Sequence, residues 1–401
     1  MTKWLPRLAP IDPRLGAPLA LGALSLAGSA QNAPASRPDA VFSRDVQFLK
    51  EFADVLVLEA PGSGKVAVSP KLTGRVMTSA FSDNEPGFGL VNREAITRPP
   101  VARGFNNFGG EDRLWLAPEG GPYGLYFDPG AKQELANWYV PLVMDGGVRT
   151  LTGQDATSAT FHDRVALKNV KGVAFDLSVD RKVEVLGKEE VEKLLGAPLP
   201  EGAKFVAFRT TNKITNEAKA ALPADALVAP WILGQFRPSP KTTVLMPYKG
   251  DADVIKKDYF GVVPPDRLSL VPEGDGGVAR FKADAQLRTK IGVSAAGALG
   301  WLGAFDAQRG VLTLVNHSLP PAGAVVPDCN WTDPNPRAKS GDVATSYNHG
   351  EEPRFFELES IGPALGAAPK STVTQVQTTV HLSAGPAALA ELAQKLLRAT
   401  L

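Results

Sequence analysis

The sequence predicts an all-β fold, a large antiparallel sandwich or barrel with a few short helices and a C-terminal helix. Short runs of apolar and β-branched residues recur almost end to end, with no βαβ alternation. The 39 glycines and 34 prolines are spread between those runs, as a chain of strands joined by turns requires. Of the 401 residues 44% are hydrophobic, enough to bury a sizeable core. No composition break divides residues 41–401, which read as a single domain.

The chain opens on Lys3, Arg7 and Arg14, followed by the apolar run LGAPLALGALSLAGSA. A basic segment, an apolar small-residue segment and a small-residue site after Ala30 form the pattern of an export signal. Residues 1–30 are therefore expected to be a signal peptide, and the protein periplasmic or secreted. The apolar run is too short and too interrupted to span a bilayer. Residues 31–40, QNAPASRPDA, read as a linker.

Residues 44–54 carry Val46, Leu49 and Phe52 at helical spacing. VLVLEA (55–60) and KVAVSP (65–70) flank PGSG, a hairpin signature, and GRVMTSAF (74–81) follows as a strand. GSGK at 62–65 is no phosphate loop, because Glu59 and Val66 stand where a glycine and a Ser/Thr are needed. Further strands are expected over 123–130, 164–179, 181–187, 204–216, 242–248, 279–286, 310–318, 355–362 and 371–382. KEEVEKLLG (188–196) reads as a helix. PAALAELAQKLLRAT (386–400) closes the chain as an amphipathic helix, with Leu389, Leu392, Leu396 and Leu397 on one stripe.

Charge and motif content narrow the chemistry. The net charge of +1 gives no concentrated basic face for nucleic acid. Cys329 is the single cysteine, so cysteine-rich zinc and iron–sulfur sites and internal disulfides are excluded. No H-E-x-x-H, EF-hand or G-x-S-x-G motif occurs. No metal or cofactor is expected.

Two stretches are dense in functional groups. FNNFGGEDRLWLAPEGG (105–121) combines turn residues with Arg113, Trp115 and Glu119. SGDVATSYNHGEEPRFFELESIGPA (340–364) contains Tyr347, Asn348 and the strand FFELES. Period two puts Phe355, Glu357 and Glu359 on one face of that strand and Phe356, Leu358 and Ser360 on the other. Two carboxylates on one apolar strand are costly if buried and ionised. Such a face must be wet or answered by arginines and lysines. Of the histidines, His162 and His381 lie inside strand-like runs, His349 lies in a turn, and His317 ends a strong strand beside Asn316 and Ser318. A histidine paired with a carboxylate would suit proton shuttling. Trp115, Trp301, Trp331 and Tyr347 beside polar residues point towards sugar recognition, with core packing the alternative, and Trp115, between Leu114 and Leu116, is expected in the core.

NNFGGEDRLWLAPEGG followed by YGLYFDPG resembles a segment of galactose-mutarotase-like (aldose-1-epimerase-like) bacterial envelope proteins. GDVATSYNHGEEPRFFELESIGPALGAAPKSTVTQVQTTVHL resembles their closing segment. Together with GRVMTSAF, DYFGVVPPDRL (258–268) and RTKIGVS (288–294), the chain is similar to an uncharacterised family of secreted bacterial proteins within that superfamily. The resemblance implies a β-supersandwich with a concave carbohydrate site and cofactor-independent acid–base chemistry on a sugar ring. It implies Glu357 as general base, Arg113 as hydroxyl-binding residue and His317 as general acid. Glu359 joins the expected catalytic residues, and Glu119, Tyr347, Asn348 and Lys290 the substrate-binding ones. An epimerase, or a polysaccharide lyase or hydrolase, is one expectation. A non-catalytic carbohydrate-binding envelope protein is the alternative, and a purely structural envelope protein a third.

Overall fold

Alternating burial along the strands, and the turns between them, give the expected all-β architecture in a computed structural model that describes residues 41–401. The signal-peptide and linker segments, residues 1–40, lie outside the described residues. Every strand pair named below is antiparallel.

Three sheets are built. The first holds β1 (Leu56–Glu59), β2 (Lys65–Ser69) and β3 (Arg75–Ala80). The second, six-stranded and ordered β11-β14-β17-β18-β9-β4, uses β4 (Arg113–Ala117), β9 (Ala229–Phe236), β11 (Ile255–Lys256), β14 (Thr289–Ser294), β17 (Asp342–Asn348) and β18 (Phe356–Ile361). The third has ten strands in the order β12-β13-β10-β15-β16-β19-β8-β7-β6-β5. They are β5 (Thr150–Gln154), β6 (Ser158–Lys168), β7 (Ala174–Val185), β8 (Lys204–Asn216), β10 (Thr242–Lys249), β12 (Leu268–Glu273), β13 (Gly276–Lys282), β15 (Trp301–Asp306), β16 (Val311–His317) and β19 (Thr372–Ser383).

The helices are α1 (Phe42–Phe52), two single turns α2 (Arg93–Ile96) and α3 (Leu142–Asp145), α4 (Lys188–Leu195) and α5 (Pro386–Leu397). Glu190 of α4 accepts from the backbone N–H of Gly187, and Gly196 ends the helix at φ 63°. Leu389, Leu392 and Leu397 of α5 pack with Val191 and Leu195 of α4 on Leu312, Leu314, Val380 and Leu382 of the ten-stranded sheet. Trp301 packs at this outer layer of the ten-stranded sheet, in a row with Asn316, Thr378 and Arg209. On its other face the ten-stranded sheet meets the six-stranded one through Leu302 and Val315 against Leu358 and Phe356. None of the helices among the described residues is long and apolar enough to cross a membrane.

Two local expectations fail. Residues 123–130 form no strand; a 3-10 turn over Gly121–Tyr123 leads into irregular backbone whose Leu125, Tyr126 and Phe127 enter the core. Residues 164–179 are not one strand but the hairpin of β6 and β7. Asn169 makes the turn, its side-chain oxygen accepting from the backbone N–H of Lys171 and Val173. Four strands that position the candidate site, β4, β9, β14 and β17, were not among those expected.

Candidate functional site

The register of the six-stranded sheet decides which side chains share a face. One row across it reads Lys290, Tyr347, Glu357, Gln235. The next reads Gly292, Thr345, Glu359, Leu233, Arg113, and the third Ile361, Trp231, Trp115. Alternate residues of a strand point the same way, so all of these stand on one face. The carboxylates lie on the central strand β18. The cations come from β4 and β14, each two strands away, and reach over their neighbours to meet them. Arg113 Nη2 donates to Glu357 Oε1 at 2.6 Å, and Lys290 Nζ to Glu359 Oε2 at 2.9 Å. The same Glu359 oxygen accepts from Trp231 Nε1 at 2.9 Å and Thr345 Oγ1 at 2.7 Å.

Aromatic rings wall this cluster. The Arg113 guanidinium lies 4.7 Å from the Trp115 ring, and the Lys290 ammonium 5.2 Å from that of Trp231. Trp115 and Trp231 meet edge to face, and Trp138 stacks on Trp331 with centroids 6.3 Å apart. Tyr347 stands at the rim, half-buried, with its hydroxyl 2.9 Å from His349 Nδ1. Glu119, in the loop beyond β4, joins from the side. Burial pushes its carboxyl up to about 7, opposed by Lys290 and the Trp331 indole and reinforced by Glu359. Burial also raises Glu357, against the pull of Arg113. Burial alone would depress Lys290, but Glu359 and Glu119 outweigh it and hold the ammonium above its usual range. Three carboxylates therefore face two cations in one poorly solvated place.

Several buried polar atoms here have no hydrogen-bond partner among the described residues: Arg113 Nε and Nη1, Trp115 Nε1, Gln235 Oε1 and Glu359 Oε1. Buried polar groups are rarely left so. Donors and acceptors concentrated beside aromatic faces suit a ligand that offers both hydroxyl groups and an apolar ring face.

Of the residues expected from sequence, Arg113, Glu119, Lys290, Tyr347, Glu357 and Glu359 come together. His317 and Asn348 do not. His317 pairs with Gln377 in the ten-stranded sheet, and Gln377 Oε1 accepts from Ser360 Oγ at 2.8 Å. Ser360 is the neighbour of Glu359 and points the opposite way. His317 therefore sits between the sheets, behind the face that carries the glutamates. It is buried, and burial depresses it to about 4, so it is neutral near pH 7. Asn348 is a turn clamp: its side chain accepts from the N–H of Ala285 and donates to the carbonyl of Leu287. Replacing His317 by glutamine is accordingly expected to leave sugar affinity within about twofold, a change under 0.5 kcal/mol. Calorimetric titration checks this, and a tenfold loss in a stable variant would return His317 to the site.

Trp231, Gln235, Thr345 and Trp138 were not foreseen. The run APWILGQF that holds Trp231 and Gln235 does carry a signal, a short apolar segment of buried-strand length. Nothing in the sequence marks Trp138, which a loop delivers.

The model of one protein family matches residues 40–401, nearly the whole chain. The chain belongs to the family of unknown function DUF6786. Among solved structures this DUF6786 member is similar to the Slr1438 protein of Synechocystis sp. PCC 6803, at 11% identity and TM-score 0.49, over 83% of this chain and 98% of that one. It is similar to a putative aldose 1-epimerase of Escherichia coli K12, at 13% identity and TM-score 0.48, over 82% and 98%. A galactose mutarotase-like protein of Lactobacillus casei ATCC 334 matches at 9% identity and TM-score 0.46, over 82% and 100%. No curated protein matches the chain.

Proposed function

We propose that this DUF6786 member is an exported protein that binds a sugar or oligosaccharide against the aromatic-walled face of its six-stranded sheet that carries Glu357 and Glu359. The observation that carries the reading is the convergence of Arg113, Lys290, Glu357, Glu359 and Glu119 on one aromatic-walled face, with buried donors and acceptors left unpaired. Ring hydroxyls would bridge those atoms, and the indoles would cover an apolar ring face. Export is supported by the N-terminal pattern alone, and comparison of periplasmic with cytoplasmic fractions tests it. Titration of the purified protein with a panel of aldoses and uronic acids tests binding. Absence of heat or chemical-shift change for every sugar would sink the carbohydrate reading.

A catalytic role is a second reading, favoured by one observation: Glu119 sits at about 7 beside carboxylates that have cation partners. An acid–base pair needs one group protonated and one ionised near working pH. Glu357 would take the proton of an anomeric hydroxyl, while Glu119 would give one to the ring oxygen, opening the ring. Reclosure on the other face returns both protons, so the cycle balances. Sugar anomer exchange, followed by NMR, is then expected to fall as pH rises through about 7, where Glu119 loses its proton. Glu119→Gln should remove that limb. The same shift bears on stability. A carboxyl raised in the folded state contributes stability that is complete below its unfolded value and is lost as pH climbs through about 7. Binding without any faster exchange or cleavage would leave a carbohydrate-binding protein.

A further inference from the structure

We propose that Phe260 forms a second sugar subsite at the rim of the charged cluster, so that the ligand of this face is an oligosaccharide and not a single ring. This inference rests on the carbohydrate reading above and names the ligand class for the same site.

The segment KDYFGVV (257–263) follows β11 and carries two aromatic residues before a glycine. It is tied at both ends, by β11 on one side and by Val263 in the core on the other. Gly261, at φ 97°, turns the chain between those ties. The two rings then meet neighbouring strands. Lys290 of β14 and Tyr347 of β17 are cross-strand partners in the first row of the site. The Tyr259 ring lies 5.4 Å from Lys290 Nζ, and the Phe260 ring meets the Tyr347 ring edge to face with centroids 5.8 Å apart. Tyr347 is in turn the cross-strand partner of Glu357. Phe260 therefore connects to the glutamates through one intervening side chain, Tyr347.

Phe260 differs from the indoles of the site in being open. Trp115 and Trp231 are buried, whereas 47% of Phe260 is exposed. Single exposed apolar residues are ordinary, but Val262, two positions on, is 90% exposed, so the tip of this segment presents apolar surface twice over. The ring is also held in place. The Arg288 guanidinium lies 4.0 Å from its centroid, and Arg288 Nε donates to the Tyr347 hydroxyl at 3.2 Å. A ring already fixed by its neighbours loses little freedom when it covers a ligand. The outer nitrogens of Arg288 have no hydrogen-bond partner among the described residues, so they can donate to hydroxyl groups of a sugar lying on Phe260.

Position decides the length of the ligand. Trp115 and Trp231 stand in the third row of the face and Tyr347 in the first. Four residues at roughly 3.3 Å each separate those rows by about 13 Å at the backbone. A ring seated against the indoles does not extend to Phe260. A second ring, linked to the first past Glu357, does, and Phe260 covers its apolar face.

The test is calorimetric titration of the full chain with two matched pairs, galactose with galactobiose and glucose with cellobiose. In at least one pair the disaccharide is expected to bind about threefold to tenfold tighter than its monosaccharide, the range of one aromatic contact. Phe260→Ala should abolish that advantage and Phe260→Trp should keep it, with monosaccharide affinity unchanged in both. Equal affinity within both pairs, or an advantage that survives Phe260→Ala, overturns the subsite while leaving the site at Glu357 standing. Failure of these four sugars and of the whole aldose and uronic acid panel to bind overturns both.

Discussion

Replacing Asp112 by alanine is expected to cost about 3–5 kcal/mol of folding stability, read as a fall in the denaturant midpoint at unchanged slope. Asp112 and Arg181 are both fully buried between the sheets, joined at 2.7 Å. The second Asp112 oxygen accepts from Thr210 Oγ1 at 2.9 Å and Gln377 Nε2 at 3.4 Å. Arg181 also donates to the carbonyl of Gly74 and to Asn212 Oδ1. One truncation therefore strands a guanidinium, a hydroxyl and an amide away from water. Burial raises the Asp112 carboxyl above its usual range even with Arg181 opposing. The pair is thus a weak source of net stability and still expensive to break, because the loss comes from the partner left behind. The double variant Asp112→Ala with Arg181→Met should lose less than the two single losses added together. If Asp112→Ala shifted the midpoint by under 1 kcal/mol, water would have to reach Arg181, and the dry-interior account would be wrong.

The chemistry of the site was legible where it depended on neighbours in sequence, and illegible where it depended on topology. Alternation in FFELES was enough to put Glu357 and Glu359 on one face, and cost arguments for buried carboxylates were enough to demand cations. That Arg113 and Lys290 answer that demand from opposite sides requires β18 to lie between β9 and β17, an order no local pattern encodes. His317 shows the converse. Its place at a strand end among polar neighbours is the sequence pattern of a site rim, but its strand belongs to the other sheet, and that sheet turns it inward. Glu119 reaches the cluster by a different route than strand alternation would give. β4 ends at Ala117, before Pro118, and the loop beyond brings the carboxyl to Lys290 and Trp331. Turns misread as strands, as at Asn169, follow from apolar residues that flank a turn and resemble strand interior.

Glu357→Gln is the substitution expected to change function most. Glutamine keeps the size and one acceptor oxygen, so Arg113 retains a partner, now neutral, at the place where it is held at 2.6 Å. The stability cost should stay near 1 kcal/mol, the scale of one weakened hydrogen bond. A hydrogen bond to a charged group contributes about 1.5–3 kcal/mol, so sugar affinity should fall roughly tenfold to a hundredfold. If anomer exchange is catalysed, it should drop further than affinity does, because an amide cannot take the proton. Arg113→Lys separates charge from shape. It keeps a cation near Glu357 but loses the planar fork whose Nε and Nη1 are unpaired. Loss of binding in Arg113→Lys, with stability retained, would mark those nitrogens as ligand donors. Unchanged affinity in both variants, with both still folded, would mean that the pair only holds β4 against β18, and the ligand would have to be sought elsewhere on the protein.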